Sequence, residues 1–125
     1  MNAVIATAGV DAAAVLSTAA VRASELLGLT KAQFSAVLGA SEEAVTDVQS
    51  GSRQIAPSSK EGELATLLIR VYRSLDALVG ADDRQRNAWV HSYNHALNGI
   101  PVEMLCTAMG LVTVAAYLDG MRAPL

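Results

Sequence analysis

An all-α fold is predicted by three features of the 125-residue sequence. No stretch sustains the strict apolar and polar alternation of a half-buried strand. Apolar residues instead recur at intervals of three and four through most of the chain, which is the period of a helix packed on one side. Each such stretch opens after Ser, Thr or Asp or closes at Gly, the punctuation of helix ends. The architecture expected is an N-terminal helix-turn-helix bundle over residues 1–57 and a C-terminal helical domain over residues 58–125.

Taken in order, Ala12 to Leu27 reads as a helix with Leu16, Ala20, Ala23 and Leu27 on one face and Gly28 as its stop. Thr30 then caps a short helix ending at Leu38, Gly39 supplies a turn, and Ser41 caps a further helix that stops at Gly51. From Lys31 to Ser50 the apolar positions Phe34, Leu38, Ala40, Val45 and Val48, with small Ser35 at the crossing, have helix-turn-helix spacing. Ser52 to Ser59, polar and holding Pro57, reads as a linker. Ser58 and Glu61 form a Ser-x-x-Glu capping box before a long helix to Val79, whose stripe is Leu64, Leu67, Leu68, Val71, Leu75 and Leu78. Gly80 ends it, and Asp82 caps the helix that carries the single tryptophan, Trp89.

That helix is expected to end near His91. A polar knuckle follows (Ser92, Tyr93, Asn94, His95), then an Asn98-Gly99 turn and a helix with Pro101 at its first position. A last amphipathic helix is placed after Gly110. Its face is Leu111, Val114, Ala115, Leu118 and Met121, which needs an apolar partner.

Composition bounds what this chain does. With 52% apolar and 17% charged residues it is richer in apolar surface than an ordinary small domain, which predicts cover by another chain, a second copy included. A net charge of -3 gives no general attraction to nucleic acid or anionic lipid. Cys106 is the single cysteine, so no intrachain disulfide forms; its apolar neighbours suit an inert thiol in a reducing cytoplasm. Residues 1–21 are apolar but lack a basic leader and contain Asp11, and Met104 to Leu118 falls short of the ~20 residues needed to span a bilayer. Neither a targeting segment nor a membrane span is expected.

The presumed recognition helix presents Glu42, Glu43, Thr46, Asp47, Gln49 and Ser50 outward, three acids and no base. Across residues 1–57 the bases Arg22, Lys31 and Arg53 face the acids Asp11, Glu25, Glu42, Glu43 and Asp47. Lys31, Thr46, Gln49 and Arg53 remain candidates for a few DNA contacts, but packing or dimerisation is the favoured use of this unit. His91 and His95 have the i, i+4 spacing of a helical zinc pair, with Glu103 and Cys106 downstream. A helix ending at His91 breaks that geometry, so no metal site is expected. No G-x-S-x-G, no phosphate loop and no Ser, His and Asp set is present, so neither enzyme activity nor a cofactor is predicted. Arg70, Tyr72 and Arg73 make a charged and aromatic stripe, either solvated or anchoring another protein.

The order Trp89, Ser92, Asn94, Leu97, Gly99, Pro101, Leu105, Thr107, Gly110, Val114, Leu118 resembles the toxin-binding domain of Xre/MbcA/ParS-type antitoxins. One departure is Tyr93, where that family commonly has Pro. The resemblance implies an antitoxin of a type II pair that neutralises a RES-domain toxin, whose family degrades NAD, by covering the cofactor cleft. It also implies a cytoplasmic homodimer within a hetero-oligomer and possible autoregulation. Candidate toxin-binding residues are Arg70, Arg73, Tyr117, Asp119, Arg122 and Leu125 with its α-carboxylate. Trp89, Asn94, Gly99, Pro101, Leu105, Gly110 and Leu118 are expected to be structural, Trp89 by locking its helix against the long one. The rival reading is a stand-alone helix-turn-helix repressor, which calls for a basic recognition surface. A metal-dependent enzyme is a third, resting on two histidines.

Overall fold

A computed structural model describes the backbone of residues 2–123 and the side chains of residues 12–123. The described residues form α1 (Asn2–Leu26), α2 (Lys31–Leu38), α3 (Glu42–Ser50), α4 (Lys60–Val79), α5 (Asp83–His91), α6 (Pro101–Met104) and α7 (Ala108–Arg122). The only pairing of extended backbone among them is an isolated bridge between Asn94 and Gly99. The fold is all-α, with the helix-turn-helix near the N-terminus and the helical half after it.

Local chemistry sets most helix ends. Thr30 accepts from the Gln33 N–H while the Gln33 side chain accepts from the Thr30 N–H, closing a capping box on α2. Ser41 accepts from the Ala44 N–H and Asp82 from those of Arg84 and Gln85, which opens α3 and α5 where the sequence places them.

Three starts differ from the sequence reading, the first being that α1 begins at Asn2 rather than Ala12. The cap of α4 is Ser59, not Ser58: its hydroxyl accepts from the Gly62 N–H at 3.0 Å. The register is fixed by a close approach, since a Cβ on Gly62 would lie 2.3 Å from the Ala56 carbonyl oxygen. Helix α7 begins at Ala108 behind a Thr107 cap, ahead of Gly110. Gly110 lies in its first turn because a Cβ there would come within 2.1 Å of the Met104 carbonyl. The helix opened by Pro101 is a single turn, and Pro101, Val102 and Leu105 are all buried.

The core is organised on α4. Ala65, Leu68, Val71 and Leu75 are buried, with Leu64 and Leu67 half-buried, against α1 on one side and α7 on the other. Leu78 does not continue the stripe. It is 39% exposed, because Val79, four residues after Leu75, takes the inward position. On α7 Leu111, Val114, Ala115 and Leu118 are buried, while Met121 is 53% exposed, since the last turn meets α4 through polar side chains. The segment read as a linker is pinned: Ile55 is buried and its N–H donates to Ser17 Oγ at 2.7 Å.

Trp89 is half-buried against the core and its ring also stacks on Tyr117 of α7, with centroids 6.5 Å apart. A polar tie between α5 and α4 is made by Arg86, whose side chain is 4% exposed. Its Nε donates to the Leu26 carbonyl at 3.1 Å, Nη1 to Asp76 at 2.9 Å and Nη2 to Asp83, while the guanidinium lies 5.6 Å over the Tyr72 ring. One cation thus joins the ends of α1, α4 and α5.

Removing it exposes Asp76 to an unpaired, partly buried state. Arg86→Ala should lower stability by about 3 kcal/mol, the low end for breaking a buried ion pair because both acids keep some solvent. Arg86→Lys should recover little, since an ammonium lacks the planar fork that reaches three acceptors. Urea denaturation of the two variants checks both.

Candidate functional site

Three of the predicted residues meet where α7 runs along α4. Ser74, on the inward side of α4, is fully buried and donates to Asp119 Oδ1 at 3.0 Å. The same hydroxyl accepts from Arg122 Nη1 at 3.0 Å, and Arg70 Nη2 pairs with Asp119 Oδ2. Burial pushes the Asp119 carboxyl up, but the hydrogen bonds from Arg70 and Ser74 and the charges of Arg70 and Arg122 outweigh it, so its pKa is lowered. Asp119 is therefore a held carboxylate. Tyr117, half-buried, faces Trp89. Arg73, one turn along the same exposed face of α4 as Arg70, borders the groove beside α1. Leu125 lies outside the described residues.

Sequence reasoning missed Ser74 and Arg86. The signal for Ser74 was available: it falls three residues after Val71 on a leucine stripe, where a hydroxyl needs a buried partner. Arg86 gave no comparable signal, because its acceptors come from three separate stretches of chain.

The knuckle after α5 is compact. Asn94 and Gly99 exchange backbone hydrogen bonds at 2.8 and 3.2 Å, and Asn94 Oδ1 accepts from the Leu97 N–H. Asn98 sits at φ 56°, in the left-handed region that Asn tolerates. The Tyr93 hydroxyl donates to Asn98 Oδ1 at 2.5 Å, so a cross-loop bond braces the position where a proline was expected. Beside it an open cleft of about 460 Å³ is lined by Tyr93, Ile100, Glu103, Met104 and Thr107. Tyr93 is 51% exposed and Met109 82%, so this half presents apolar side chains to solvent.

On the helix-turn-helix, Glu42, Glu43, Thr46, Asp47, Gln49 and Ser50 are all exposed, as the periodicity requires. Gln49 and Arg53 border a cleft of about 250 Å³ with Arg22 between α1 and α3, and Thr46 is exposed one turn before Gln49. Arg53 also pairs with Glu61 at 2.8 Å.

His91 closes α5, its Nδ1 3.0 Å from the Asn87 carbonyl, and His95 stands edge-on to Tyr93 outside the helix. Among the described residues no three His, Cys, Asp or Glu side chains are placed to share a metal ion. The Cys106 thiol is pushed up by burial and by Glu103, so it stays protonated at neutral pH and is a poor nucleophile.

The Asp119 network makes stability depend on acid. A carboxyl with a lowered folded pKa stabilises fully above its unfolded value and loses that contribution as pH falls through the folded one. Asp119→Asn should therefore be less stable than the unaltered chain at neutral pH, and the gap should close below about pH 4. Thermal melts across pH 2 to 7 read it; a constant gap would show the network to be uncoupled from protonation.

Two family models match, end to end along the chain. Residues 7–70 match the antitoxin Xre-like helix-turn-helix domain, and residues 74–123 match the antitoxin Xre/MbcA/ParS C-terminal toxin-binding domain. No curated protein matches the chain. Helix α4 supplies the end of the first match and the beginning of the second, so the shared core and the Ser74 network fall where the two domains join. On these matches the chain belongs to the Xre/MbcA/ParS-type antitoxins.

Proposed function

We propose that this antitoxin neutralises a RES-domain toxin by covering the cleft in which that toxin degrades NAD, and that it does so in the cytoplasm without catalysis or a cofactor of its own. The toxin-binding domain matched over residues 74–123 carries the reading. The exposed apolar side chains Tyr93, Met109, Val112 and Met121, all in that half, support it, because they are the surface a partner would desolvate.

The end of α7 is the part we assign to the cleft. A pocket for a dinucleotide diphosphate attracts negative charge, and Asp119 and an aromatic ring at Tyr117 are presented near the helix end. Arg70 and Ser74 act through Asp119 by fixing its carboxylate, and Arg122 is positioned both to hold Ser74 and to meet an acid on the toxin. Arg73 is not among the side chains that hold Asp119.

Truncation tests this arrangement. Because α7 stays packed through Arg122, the informative cut is after Arg122 rather than before Gly120. Removing the residues that follow should change stability by less than about 0.5 kcal/mol and leave the two proteins co-purifying. The shortened chain keeps Tyr117 and Asp119, so it should still protect against NAD loss in cells expressing the toxin, whereas Tyr117→Ala in the full chain should lower that protection sharply. Full neutralisation by Tyr117→Ala would move the blocking surface to the Tyr93 and Met109 face.

Operator binding by the antitoxin alone should be weak near physiological salt. The acids on α3 oppose the release of counterions that drives association with DNA. Changing Glu42, Glu43 and Asp47 to Gln, Gln and Asn should strengthen a mobility shift on the promoter. Nanomolar, sequence-specific binding by the unaltered chain would contradict it.

A further inference from the structure

The cleft beside the knuckle carries chemistry that the end of α7 does not explain. Its floor is apolar, with Ile100 and Met104 half-buried along it. Met104 packs under the loop because Gly99 has no side chain: a Cβ there would come within 3.1 Å of the Met104 sulfur. One wall is the Tyr93 ring, 51% exposed. That ring is held at two points, by its hydroxyl on Asn98 Oδ1 at 2.5 Å and by the His95 ring, edge-on with centroids 5.0 Å apart. An aromatic surface fixed before anything binds gives up little freedom on contact, which is what an anchoring site needs.

Charge decides what fits. Among the described residues Glu103 is the only charged one that borders the cleft, and it is exposed and forms no ion pair. Thr107, also on the border, is already engaged as the cap of α7, where it accepts from the Gly110 N–H at 3.0 Å. An apolar floor, an aromatic wall and one unpaired carboxylate together match a long basic side chain, whose methylene stem lies on apolar surface while its head pairs with the acid. Arginine suits the cleft better than lysine. A planar guanidinium stacks on an aromatic ring and can pair with a carboxylate through two parallel hydrogen bonds. The cleft lies within residues 74–123, matched by the toxin-binding domain, and a toxin surface that draws in a diphosphate is basic.

We propose that this cleft is an anchor for the toxin, taking one of its arginine side chains along Ile100 and Met104, against Tyr93 and onto Glu103. Asn98 is a positioning residue, acting through the Tyr93 hydroxyl. The inference rests on the reading that the partner is a RES-domain toxin, but not on which surface blocks the NAD cleft.

Titration of the full chain with the cognate RES-domain toxin, at two ionic strengths, tests it. Glu103→Gln should raise Kd by about tenfold or more and flatten its dependence on salt, because the charge that attracts the arginine is gone. Glu103→Arg should weaken binding by more than about a hundredfold, and replacing one toxin arginine by Glu should restore it. Tyr93→Ala should raise Kd without changing the salt dependence. Both sites are exposed, so circular dichroism should show unchanged helix content. The proposal alone is overturned if the unaltered chain binds the toxin and Glu103→Gln and Tyr93→Ala bind it equally well, or if no toxin arginine exchange rescues Glu103→Arg. Absence of binding by the unaltered chain would overturn the toxin reading itself, and this anchor with it.

Discussion

One helix has to satisfy two neighbours at once, and the rest of the molecule follows from how α4 does it. Its inward stripe of Ala65, Leu68, Val71 and Leu75 is buried between α1 and α7. At about 1.5–3 kcal/mol for each large apolar side chain removed from water, that stripe is a major source of stability for both halves. Neither the helix-turn-helix nor the C-terminal helices could close a core without it. The two domains are thus joined by a shared hydrophobic interior, and a partner acting on one is in mechanical contact with the other.

Apolar burial alone leaves the helices free to slide, and buried polar groups remove that freedom. Ser17 fixes Ile55, Arg86 gathers the ends of α1, α4 and α5, and Ser74 holds the last turns of α7. No buried side-chain nitrogen or oxygen among the described residues lacks a partner. Each such group is costly if left alone and modest in net gain when paired, so these contacts specify register more than they add stability. The end of α7 is held to α4 through Asp119 and Arg122.

Charge is distributed by task. The acids of α3 cluster on the exposed face of the presumed recognition helix, whereas Asp119 is placed among two guanidinium groups and a hydroxyl. The bases Arg70 and Arg73 of α4 both border the groove beside α1, and Arg70 also reaches Asp119 on α7. A chain of net charge -3 therefore presents locally basic and locally acidic surfaces.

The sequence by itself determined the fold class, the capped starts of α2, α3 and α5, the inward faces of α4 and α7, and the family, because each rests on short-range periodicity or on residue types at fixed spacing. Ser41, Asp82 and the run from Leu111 to Leu118 are legible in that way. Tertiary structure alone decided what depends on residues far apart in the chain. It moved the α4 cap to Ser59, since Gly62 must pass close to the carbonyl of Ala56, and it turned Leu78 and Met121 outward where the packing partner ends. It set Trp89 against Tyr117 and gave α5 its tie to α4 through Arg86. It also engaged Asp119 with Arg70 and Ser74, some 45 positions away or more, by bringing together two helices whose separate sequences carry no record of facing each other.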